Sequence, residues 1–397
     1  MINDALEFIA KKNGNVVVYD SNGNPSIYVP FNKCLSSELD ASLPAHVHPA
    51  FIMGDSVKDR ILIGKYKAAP IEGGTTLFSI PGKDPANNLS FDTFLTRMRA
   101  FKTGASGLTI ADHGLILLTA KKMGWQPKGN NNYGAHYADA TKWAENTAYV
   151  VGNERAYRGW LYKCLIAHTS SAALAPENNP AYWEKEKQIG GTMSAASGAG
   201  NRTLTGSGPA DWYLGGDVGN IADVQGNVTE QVYGYRIVDG EIQIMANNDA
   251  ALPTADLSST SAAWKAILPG ASASEYTLVA PGTAGTLHWC KDGSGFKLDT
   301  SCTVADESLS KAFTSIGVNS SNVPVVPCIM QELGLLPVSG DSVTQGTVWV
   351  NLKGERVPRR SGDYRSSSLA GMGYLSCDLG RSDARDSFGA RGRFIES

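Results

Sequence analysis

The last 38 residues constrain this chain more than any other part of it. They begin at Arg360 and read RSGDYRSSSLAGMGYLSCDLGRSDARDSFGARGRFIES. Long aliphatic side chains are rare here, and segments this polar are often disordered. Glycines nevertheless fall where turns are expected, and anchors recur at Tyr364, Met372, Tyr374, Leu375, Phe388 and Phe394. We therefore predict short strands and loops held on a rigid body, with small polar side chains facing outward as in adaptable binding surfaces.

Length and composition allow a large folded protein. The chain has 397 residues, enough for two or three domains, and 42% of them are hydrophobic. Charged residues make up 18%, and the 43 glycines suit a loop-rich fold that contains β-sheet. A net charge of −3 argues against nucleic acid as a partner, because no basic excess neutralises phosphates. Neither a membrane span nor a signal peptide is predicted, since apolar runs are short and MINDALEFIAKKNG has no charged start followed by an apolar stretch.

The cysteines show no metal-binding spacing. The six are Cys34, Cys164, Cys290, Cys302, Cys328 and Cys377. Without a CxxC pair or a cluster of histidines, a zinc site is not predicted. Cys290 and Cys302 flank a KDGSGFK turn, so a disulfide between them is one interpretation. The other is that all six are reduced core residues.

Residues 1–47 contain two predicted strands, NVVVYD and SIYVPF, around an SNGNP turn. Two interpretations stay open for this segment. It is either an N-terminal β arm for attachment or oligomerisation, or an extra hairpin on the main domain.

Two strands and two helices are predicted between residues 48 and 141. HPAFIMGDSVKDRILIGKYKAAP predicts the strands, and apolar side chains at helical spacing from Phe91 to Phe101 predict the first helix. The second helix begins with capping-box spacing between Thr109 and Asp112. Its expected apolar face is formed by Ile110, Leu115, Leu118 and Met123. His113 lies on this helix, and we interpret it as a surface or capping residue rather than a ligand or catalytic base.

Residues 142–186 carry more aromatic side chains than so small a core can hide. These are Trp143, Tyr149, Tyr157, Trp160, Tyr162, Tyr182 and Trp183. The leading Trp, the Gly-Trp-Leu-Tyr hairpin at 159–162, the Ala-His-Thr-Ser run at 167–170 and the closing Tyr-Trp pair resemble the carbohydrate-binding modules of families 5 and 12. The resemblance implies a small all-β module inserted into a larger domain.

In such modules exposed aromatic rings stack on sugar faces. Trp160 and Tyr182 are the predicted sugar-stacking residues, while Trp143 and Trp183 are expected to pack the core. The alternative is that the module serves as a spacer or a subunit contact in a larger assembly.

The segment that follows is predicted to be less regular. Residues 187–210 are rich in Gly, Ser, Ala and Thr, which predicts a loop or linker. RIVDGEIQIM then predicts a hairpin with an Asp-Gly turn. From about 246 to 340 we expect an insertion with helices in SSTSAAWKAIL and ESLSKAFTSIG, packed near the binding face or forming a subunit interface.

Several of these motifs together resemble the C-type-lectin fold of the sulfatase-modifying-factor type. The PAF and GKY strands, the two helices and GNVTEQ at 226–231, where the family has GNVWEW, occur in the family's order. From Arg360 to Arg391 the pattern is similar to the variable region of proteins diversified by retroelements, such as phage tropism determinants. The resemblance implies an α+β, C-type-lectin-like domain built from residues 48–141 and 187–397, with a variable-like region at 360–391.

In that family the variable region presents side chains to a receptor. The matching positions are Asp363, Arg365, Ser366, Ser367, Leu369, Ser376, Asp378, Leu379, Asp383, Arg385, Ser387 and Phe388. Tyr364, which stands where the family has Trp, and Tyr374 complete the predicted ligand-binding face. The charged members, with Arg381 and Asp386, either form a mixed-charge face for a polar ligand or pair with one another within the chain.

The resemblance also bears on metal binding. In some relatives the Asn and Glu of the GNVWEW motif help to hold a structural calcium ion, so Asn227 and Glu230 are candidate calcium ligands. Otherwise they serve as turn and hydrogen-bonding residues. No other cofactor is predicted.

The lectin-type fold hosts both enzymes and binding proteins. Formylglycine-generating enzymes of this architecture use a cysteine pair in the C-terminal part, where this chain has Cys377 alone, so we expect no enzymatic activity. The resemblance implies a homotrimeric receptor-binding protein of a phage or prophage tail, located on the virion. Its partners would be other tail proteins and a bacterial surface receptor, either glycan or protein. The alternative is a bacterial surface or secreted ligand-binding protein of the same fold.

Overall fold

A computed structural model describes residues 2–197, 201–304, 306–342 and 344–396 as a mixed α+β structure. Its helices are α1 Ile2–Lys12, α2 Ser36–Leu39, α3 Phe91–Arg99, α4 Ile110–Lys122 and α5 Cys328–Glu332. The longest of them has 13 residues. Among the described residues there is no helix with the length and apolar character needed to cross a bilayer.

Short strands make up most of the regular structure. Before the aromatic segment these are β1 Val16–Tyr19, β2 Pro25–Asn32, β3 Ile52–Met53, β4 Ser56–Val57, β5 Arg60–Gly64, β6 Ala69–Pro70, β7 Leu77–Phe78, β8 Ala105–Gly107 and β9 Gly129–Asn130. Within it they are β10 Ala148–Tyr149, β11 Glu154–Tyr157, β12 Trp160–Cys164, β13 His168–Thr169 and β14 Trp183–Gln188. After it come β15 Gln225–Gly226, β16 Thr229–Gln231, β17 Tyr235–Val238, β18 Glu241–Met245, β19 Trp264–Pro269, β20 Tyr276–Val279, β21 His288–Asp292, β22 Gly295–Asp299, β23 Ser308–Ala312, β24 Gly317–Val318, β25 Thr347–Asn351, β26 Glu355–Arg356, β27 Arg359–Arg360, β28 Leu375–Cys377, β29 Phe388–Ala390 and β30 Gly392–Phe394.

We call the described residues outside the module at 142–186 the body. The N-terminal hairpin β1–β2 belongs to one of the sheets of this body. It lies at one edge of a five-stranded sheet with the order β1-β2-β5-β30-β8. Val29 of β2 is opposite Ile63 of β5, and both side chains are buried. Helix α1, which the sequence reading did not anticipate, precedes the hairpin. The hairpin is therefore an extension of this five-stranded sheet.

Helix α4 begins as predicted but is buried on all sides. The Thr109 hydroxyl accepts from the Asp112 amide at 3.1 Å, and the Asp112 carboxylate accepts from the Thr109 amide at 2.9 Å. The expected one-sided apolar face is wrong, because the helix packs against α5 and the turn Pro49–Phe51, which bury its other sides. His113 is buried rather than on the surface, and this burial holds its pKa well below the ordinary value. Met123 at the C-terminal end is 54% exposed.

The two helices expected between 246 and 340 are strands. SSTSAAWKAIL contributes β19, which pairs with β18 and β20, and ESLSKAFTSIG contributes β23, which pairs with β25. Trp264 is buried at the start of β19. Intrinsic helix propensity is readily overridden by tertiary contacts, and here the pairing with neighbouring strands of the sheets decides the conformation. Strands from this region extend the β17–β18 hairpin into an eight-stranded sheet, so the region is a structural part of the body.

The hairpin β17–β18 has the predicted turn. Asp239 and Gly240 both have positive φ, 47° and 83°, as a type I′ turn requires. The Gly- and Ser-rich stretch at 187–210 is anchored where it is described: the Arg202 guanidinium pairs with Asp84 at 2.9 Å, and Thr205 bonds to the backbone of residues 80–83. Residues 198–200 of that predicted linker lie outside the described residues.

The terminal stretch forms short strands, as expected, and they belong to the five-stranded sheet and to a six-stranded sheet with the order β23-β25-β28-β27-β16-β29. Strand β27 pairs with β16 and β28, and β29 runs parallel to β16. Strand β30 lies between β5 and β8 in the first sheet. The chain end is therefore built into the body and fixes the loops between these strands.

Candidate functional site

A buried arginine supports the terminal stretch from below. The Arg359 guanidinium donates to the Ser376 hydroxyl at 2.8 Å and to the Asp378 carboxylate at 3.0 Å. Its carbon centre lies 4.5 Å from the Phe388 ring. Ser376 and Phe388 are themselves buried. These two predicted contact residues therefore belong to the support of the surface.

Tyr364 is a second buried anchor. Its hydroxyl donates to the Asp386 carboxylate at 2.8 Å, and its amide donates to the Asn227 carbonyl at 3.0 Å. Burial, with the Asp386 hydrogen bond, raises the pKa of Tyr364 to about 12. Ser387 is also buried, and its hydroxyl accepts from the Arg365 guanidinium at 2.8 Å.

Two predicted carboxylates brace turns. Asp363 accepts from the Arg365 amide at 2.9 Å and from the Ser366 hydroxyl at 3.1 Å. Asp383 accepts from the Gly380 amide at 2.8 Å. Such side-chain to backbone bonds fix local loop conformation. Both aspartates therefore stabilise the conformation of their own loops.

The predicted ligand-binding residues thus divide into two sets. Four are buried and unavailable for direct contact, which corrects the prediction: Tyr364, Ser376, Ser387 and Phe388. We call the remaining ten the terminal face: Asp363, Arg365, Ser366, Ser367, Leu369, Tyr374, Asp378, Leu379, Asp383 and Arg385. Arg365, Ser367, Leu369 and Arg385 are its exposed members, and the others are half-buried. Residue type does not separate the sets, because Ser and aromatic side chains occur in both.

Charges of the terminal stretch are largely paired within the chain. Arg365 lies 3.3 Å from Asp363 and 4.0 Å from Asp386. Arg381 pairs with Asp92 at 2.6 Å and Glu355 at 3.0 Å. These pairs hold the loops of the face to one another and to α3.

Asn227 and Glu230 do not fit a calcium site. The Asn227 amide exchanges hydrogen bonds with the backbone of Thr203, at 2.9 and 3.0 Å. Glu230 lies between two buried cations, 2.8 Å from Lys67 and 2.7 Å from Arg391. Burial alone would raise the pKa of Glu230, but Arg391 and Lys67 hold it at about 2. Both candidates are structural residues, and a calcium ion would have to displace two neighbouring cations.

The segment 142–186 encloses an aromatic core of its own. Trp143, Tyr149, Tyr162, Cys164 and Trp183 are buried together. The prediction that Trp143 and Trp183 pack the core is confirmed. Leu161 on the opposite side of β12 packs with Ala135 of the body, which fixes the module to its host.

The predicted sugar-stacking residues lie in different surroundings. Trp160 is half-exposed over a groove of about 360 Å³ that Glu177 and Lys185 also line. The Lys185 ammonium lies 3.5 Å from the Trp160 ring centroid, so a sugar can reach that ring face only if this lysine moves. Tyr182 does not line the groove, and its ring packs edge-to-face against His168, with centroids 4.9 Å apart.

Sequence reading missed an apolar patch on the module. Val150, Val151, Leu165 and Ile166 are all exposed. The Gly152 amide donates to the Cys164 carbonyl at 2.8 Å, which joins the two loops that carry them. Clustered exposed aliphatic side chains commonly mark interaction sites. Their adjacency was hidden because the two pairs are separated by the β11–β12 hairpin.

A cleft of about 280 Å³ separates the module from the body, lined among others by Tyr133, Lys142 and Trp143. The Trp143 indole N–H is buried and has no hydrogen-bond partner within the described residues. Tyr133 links the cleft to the terminal stretch, because its ring packs edge-to-face with Tyr364 at 5.7 Å. The Lys142 ammonium covers the same ring at 4.5 Å.

Comparison with known proteins identifies one part of the chain. Residues 142–184 match the family model described as carbohydrate-binding module family 5/12. The segment is therefore a carbohydrate-binding module, in agreement with the resemblance noted from its sequence motifs. The chain is also similar to Chitinase A1 of Niallia circulans, with 33% identity over 98 residues. That similarity covers 25% of this chain and 12% of the chitinase.

Proposed function

We propose that this protein is a receptor-binding protein of a phage or prophage tail tip, with a C-type-lectin-like body that presents the terminal face to a bacterial surface receptor. In this proposal the inserted module adds a second, glycan-directed contact. Display of several copies, as in a homotrimer, would raise the overall affinity through avidity.

One observation carries the proposal. Exposed polar and apolar side chains at Arg365, Leu369 and Arg385 stand on loops that are fixed by buried Arg359 and Tyr364. Loops ordered before binding lose less conformational entropy when a ligand arrives. A recognition surface needs this arrangement, in which exposed side chains of different chemical types stand on a rigid support.

The carbohydrate-binding module supports a glycan as part of the target. Chitinase A1 shows the class of protein in which a similar segment occurs, and we propose a β-linked polysaccharide as the first probe. Co-sedimentation with insoluble chitin and cellulose tests this, with Trp160→Ala and Ile166→Ala as variants. Loss in Ile166→Ala alone would place the contact on the apolar patch, and loss in Trp160→Ala alone would place it in the groove.

A bacterial surface or secreted ligand-binding protein of the same architecture is the second candidate. The module favours it equally, since a polysaccharide ligand does not require a virion. A catalytic role of the formylglycine-generating type has little support, because Cys377 is buried and burial raises the pKa of its thiol to about 12. Reactive cysteines are accessible and have lowered pKa values.

Sedimentation with whole cells of a panel of bacteria tests the main proposal. The wild-type protein is compared with a terminal-face variant, Arg365→Ala, Leu369→Ala and Arg385→Ala together, and with a matched control in which exposed Lys353, Lys122 and Val57 are changed to Ala. We expect the terminal-face variant to bind at least about a hundredfold more weakly. This is the loss of affinity expected when hot-spot residues at the centre of an interface are truncated to Ala. Equal binding by variant and control would contradict the proposal.

A further inference from the structure

Three potential metal ligands from distant parts of the chain meet beneath α2. The imidazole of His46, the thiol of Cys328 and the carboxylate of Glu332 have ligating atoms within 4.8 Å of one another. Cys328 and Glu332 are four residues apart on α5, which places both side chains on one face of that helix. His46 reaches the same point from the loop after α2. The cluster is independent of the terminal face and of the module.

Glu332 has unused binding capacity. Its Oε1 atom accepts from the Ser36 hydroxyl at 2.5 Å and lies 2.5 Å from Nε2 of His46. Its Oε2 atom is buried and accepts no hydrogen bond from any residue that the structure describes. A buried carboxylate oxygen without a partner is costly. A cation at this position would remove that cost.

The thiol of Cys328 is buried beside the Glu332 carboxylate. A bound cation deprotonates a thiol that it coordinates, so metal binding at this point would convert the thiol to a thiolate ligand. The imidazole of His46 is 42% exposed, which gives an ion a path from solvent.

We propose that His46, Cys328 and Glu332 form a binding site for a divalent transition metal, with zinc as the expected ion. Sulfur, imidazole nitrogen and carboxylate oxygen are the ligands that zinc takes in proteins, usually four in a tetrahedral arrangement. A water molecule or the Ser36 hydroxyl completes the set. On binding, the metal takes the place of the hydrogen bond between His46 and Glu332. The imidazole then binds through Nε2 as the neutral ring with its proton on Nδ1, and the Cys328 thiol releases its proton to solvent.

The site would join two segments that lie far apart in the sequence, the loop that carries His46 and helix α5. The segment that carries His46 is already tied to α5 by the ring of His48, whose Nε2 lies 3.2 Å from the Glu332 carbonyl oxygen. Within that segment, the Ser36 amide donates to the His46 carbonyl at 2.8 Å. A metal therefore adds a coordinate link between the N-terminal segment and the helix packed against α4. We expect it to stabilise the body rather than to act in catalysis or receptor binding.

Untagged protein, freed of metal with a chelator and then titrated with zinc and with cobalt, tests the proposal. We expect equimolar zinc after gel filtration, a zinc-dependent rise in the Tm of the body, and a sulfur-to-cobalt charge-transfer band in the cobalt form. His46→Ala is the first variant, since its ring is half-exposed and the fold should survive. It should weaken zinc binding about tenfold or more, the scale seen when metal sites lose supporting groups.

Cys328→Ser should abolish the charge-transfer band, whereas the matched control Cys302→Ser should retain it. Wild-type protein that shows neither equimolar zinc nor a zinc-dependent Tm would overturn the proposal, whatever the variants do. A cobalt band that persists in Cys328→Ser, or moves with Cys302→Ser, would also overturn it. Because the wild-type readouts stand alone, a variant that fails to fold does not rescue the proposal.

Discussion

The inserted module and the terminal stretch are two small, turn-rich segments that solve the same problem differently. The module is stabilised by aromatic residues from within its own 45 residues, Trp143 and Trp183 among them. The terminal stretch has no such core. Arg359, which directly precedes the stretch, bonds to Asp378, and within the stretch Tyr364 bonds to Asp386. Its links to the rest of the chain include the Tyr364 amide, which donates to the Asn227 carbonyl, and Arg391, which donates to the Gly64 carbonyl. The module is stabilised by a core of its own residues, whereas the terminal stretch is also held by contacts with residues elsewhere in the chain.

This difference explains why the two are suited to different tasks. A self-contained module can be inserted, moved or lost with limited effect on its host. A stretch fixed by a large body can change its exposed side chains without losing its shape, since the buried anchors stay constant. The exposed side chains of Leu369 and Arg385 can change in that sense, whereas buried Arg359 cannot.

Deletions should give the largest contrast. Removing residues 387–397 takes away β29 and β30, with Arg391 and its bonds to the carbonyls of Gly64 and Lys65 at 2.9 Å. We expect no folded product by circular dichroism. Replacing 142–188 by a short Gly-Ser linker should leave the body folded, because the segments at both ends of the module hydrogen-bond to the β11–β12 hairpin and so lie close together. An unfolded deletion product would contradict the self-contained module.

Glu230→Ala should be the most damaging single substitution in the body. It leaves Lys67 and Arg391 buried without their shared carboxylate, and breaking a buried pair in this way costs about 3–5 kcal/mol. Urea unfolding measures the loss. Glu355→Ala, at a half-buried site that also pairs with two arginines, is the matched control and should cost less. An equal loss of unfolding free energy in both variants would mean that the burial of Glu230, Lys67 and Arg391 does not matter for stability.

Trp183→Ala should unfold the module alone. It removes a fully buried ring, at a cost of about 3–5 kcal/mol. We expect the module's amides to lose protection in hydrogen exchange while the amides of α4 keep theirs, with loss of polysaccharide binding. Loss of protection throughout the chain would show that module and body form one cooperative unit.

Acid should weaken the body and spare the module. His113 is buried and its pKa is held well below 6.5, so it is neutral in the folded protein while the unfolded chain takes up a proton as the pH falls below 6.5. Stability present above that pH is lost at up to about 1.4 kcal/mol per pH unit for this proton. Glu230, with its folded pKa of about 2, adds a further loss once the pH falls below about 4.5.

Urea unfolding at pH 7, 5.5 and 4 should therefore give the same loss for the full chain and for the chain without 142–188. If the module-deleted protein kept its stability at pH 4, the acid-sensitive groups would lie in the module.

Surface changes on the terminal face should have the smallest effect on stability. Arg365→Ala and Arg385→Ala remove exposed side chains, and exposed pairs contribute about 1 kcal/mol or less. Their Tm values should stay close to that of the wild type. Arg359→Ala is the contrasting variant: it removes a buried guanidinium that bonds to Ser376 and to half-buried Asp378, which predicts a clear drop in Tm. A similar drop in all three would mean that the face is structural throughout.

Local sequence signals predicted local structure. The capping box at Thr109 and the Asp-Gly turn of β17–β18 depend on residues within a few positions, and each was confirmed. The packing of Trp143 and Trp183 joins positions 40 residues apart, and it was expected from the resemblance to the carbohydrate-binding modules. Strands β19 and β23 were missed because their pairing partners lie outside the segments that were predicted as helices. Burial of Tyr364 and Phe388 could not be predicted either, since an aromatic anchor and an aromatic contact look alike in sequence. Arg359 gave no signal, because its partners lie 17 or more residues away.

Binding of the module-deleted protein to whole cells tests the central claim most directly. The chain without 142–188 keeps the complete terminal face and its buried support. We predict that it still sediments with susceptible cells, and that Arg365→Ala, Leu369→Ala and Arg385→Ala in the same background abolish this. If the module-deleted protein folds but binds no cells that the wild type binds, recognition resides in the carbohydrate-binding module and the account of the terminal face is wrong.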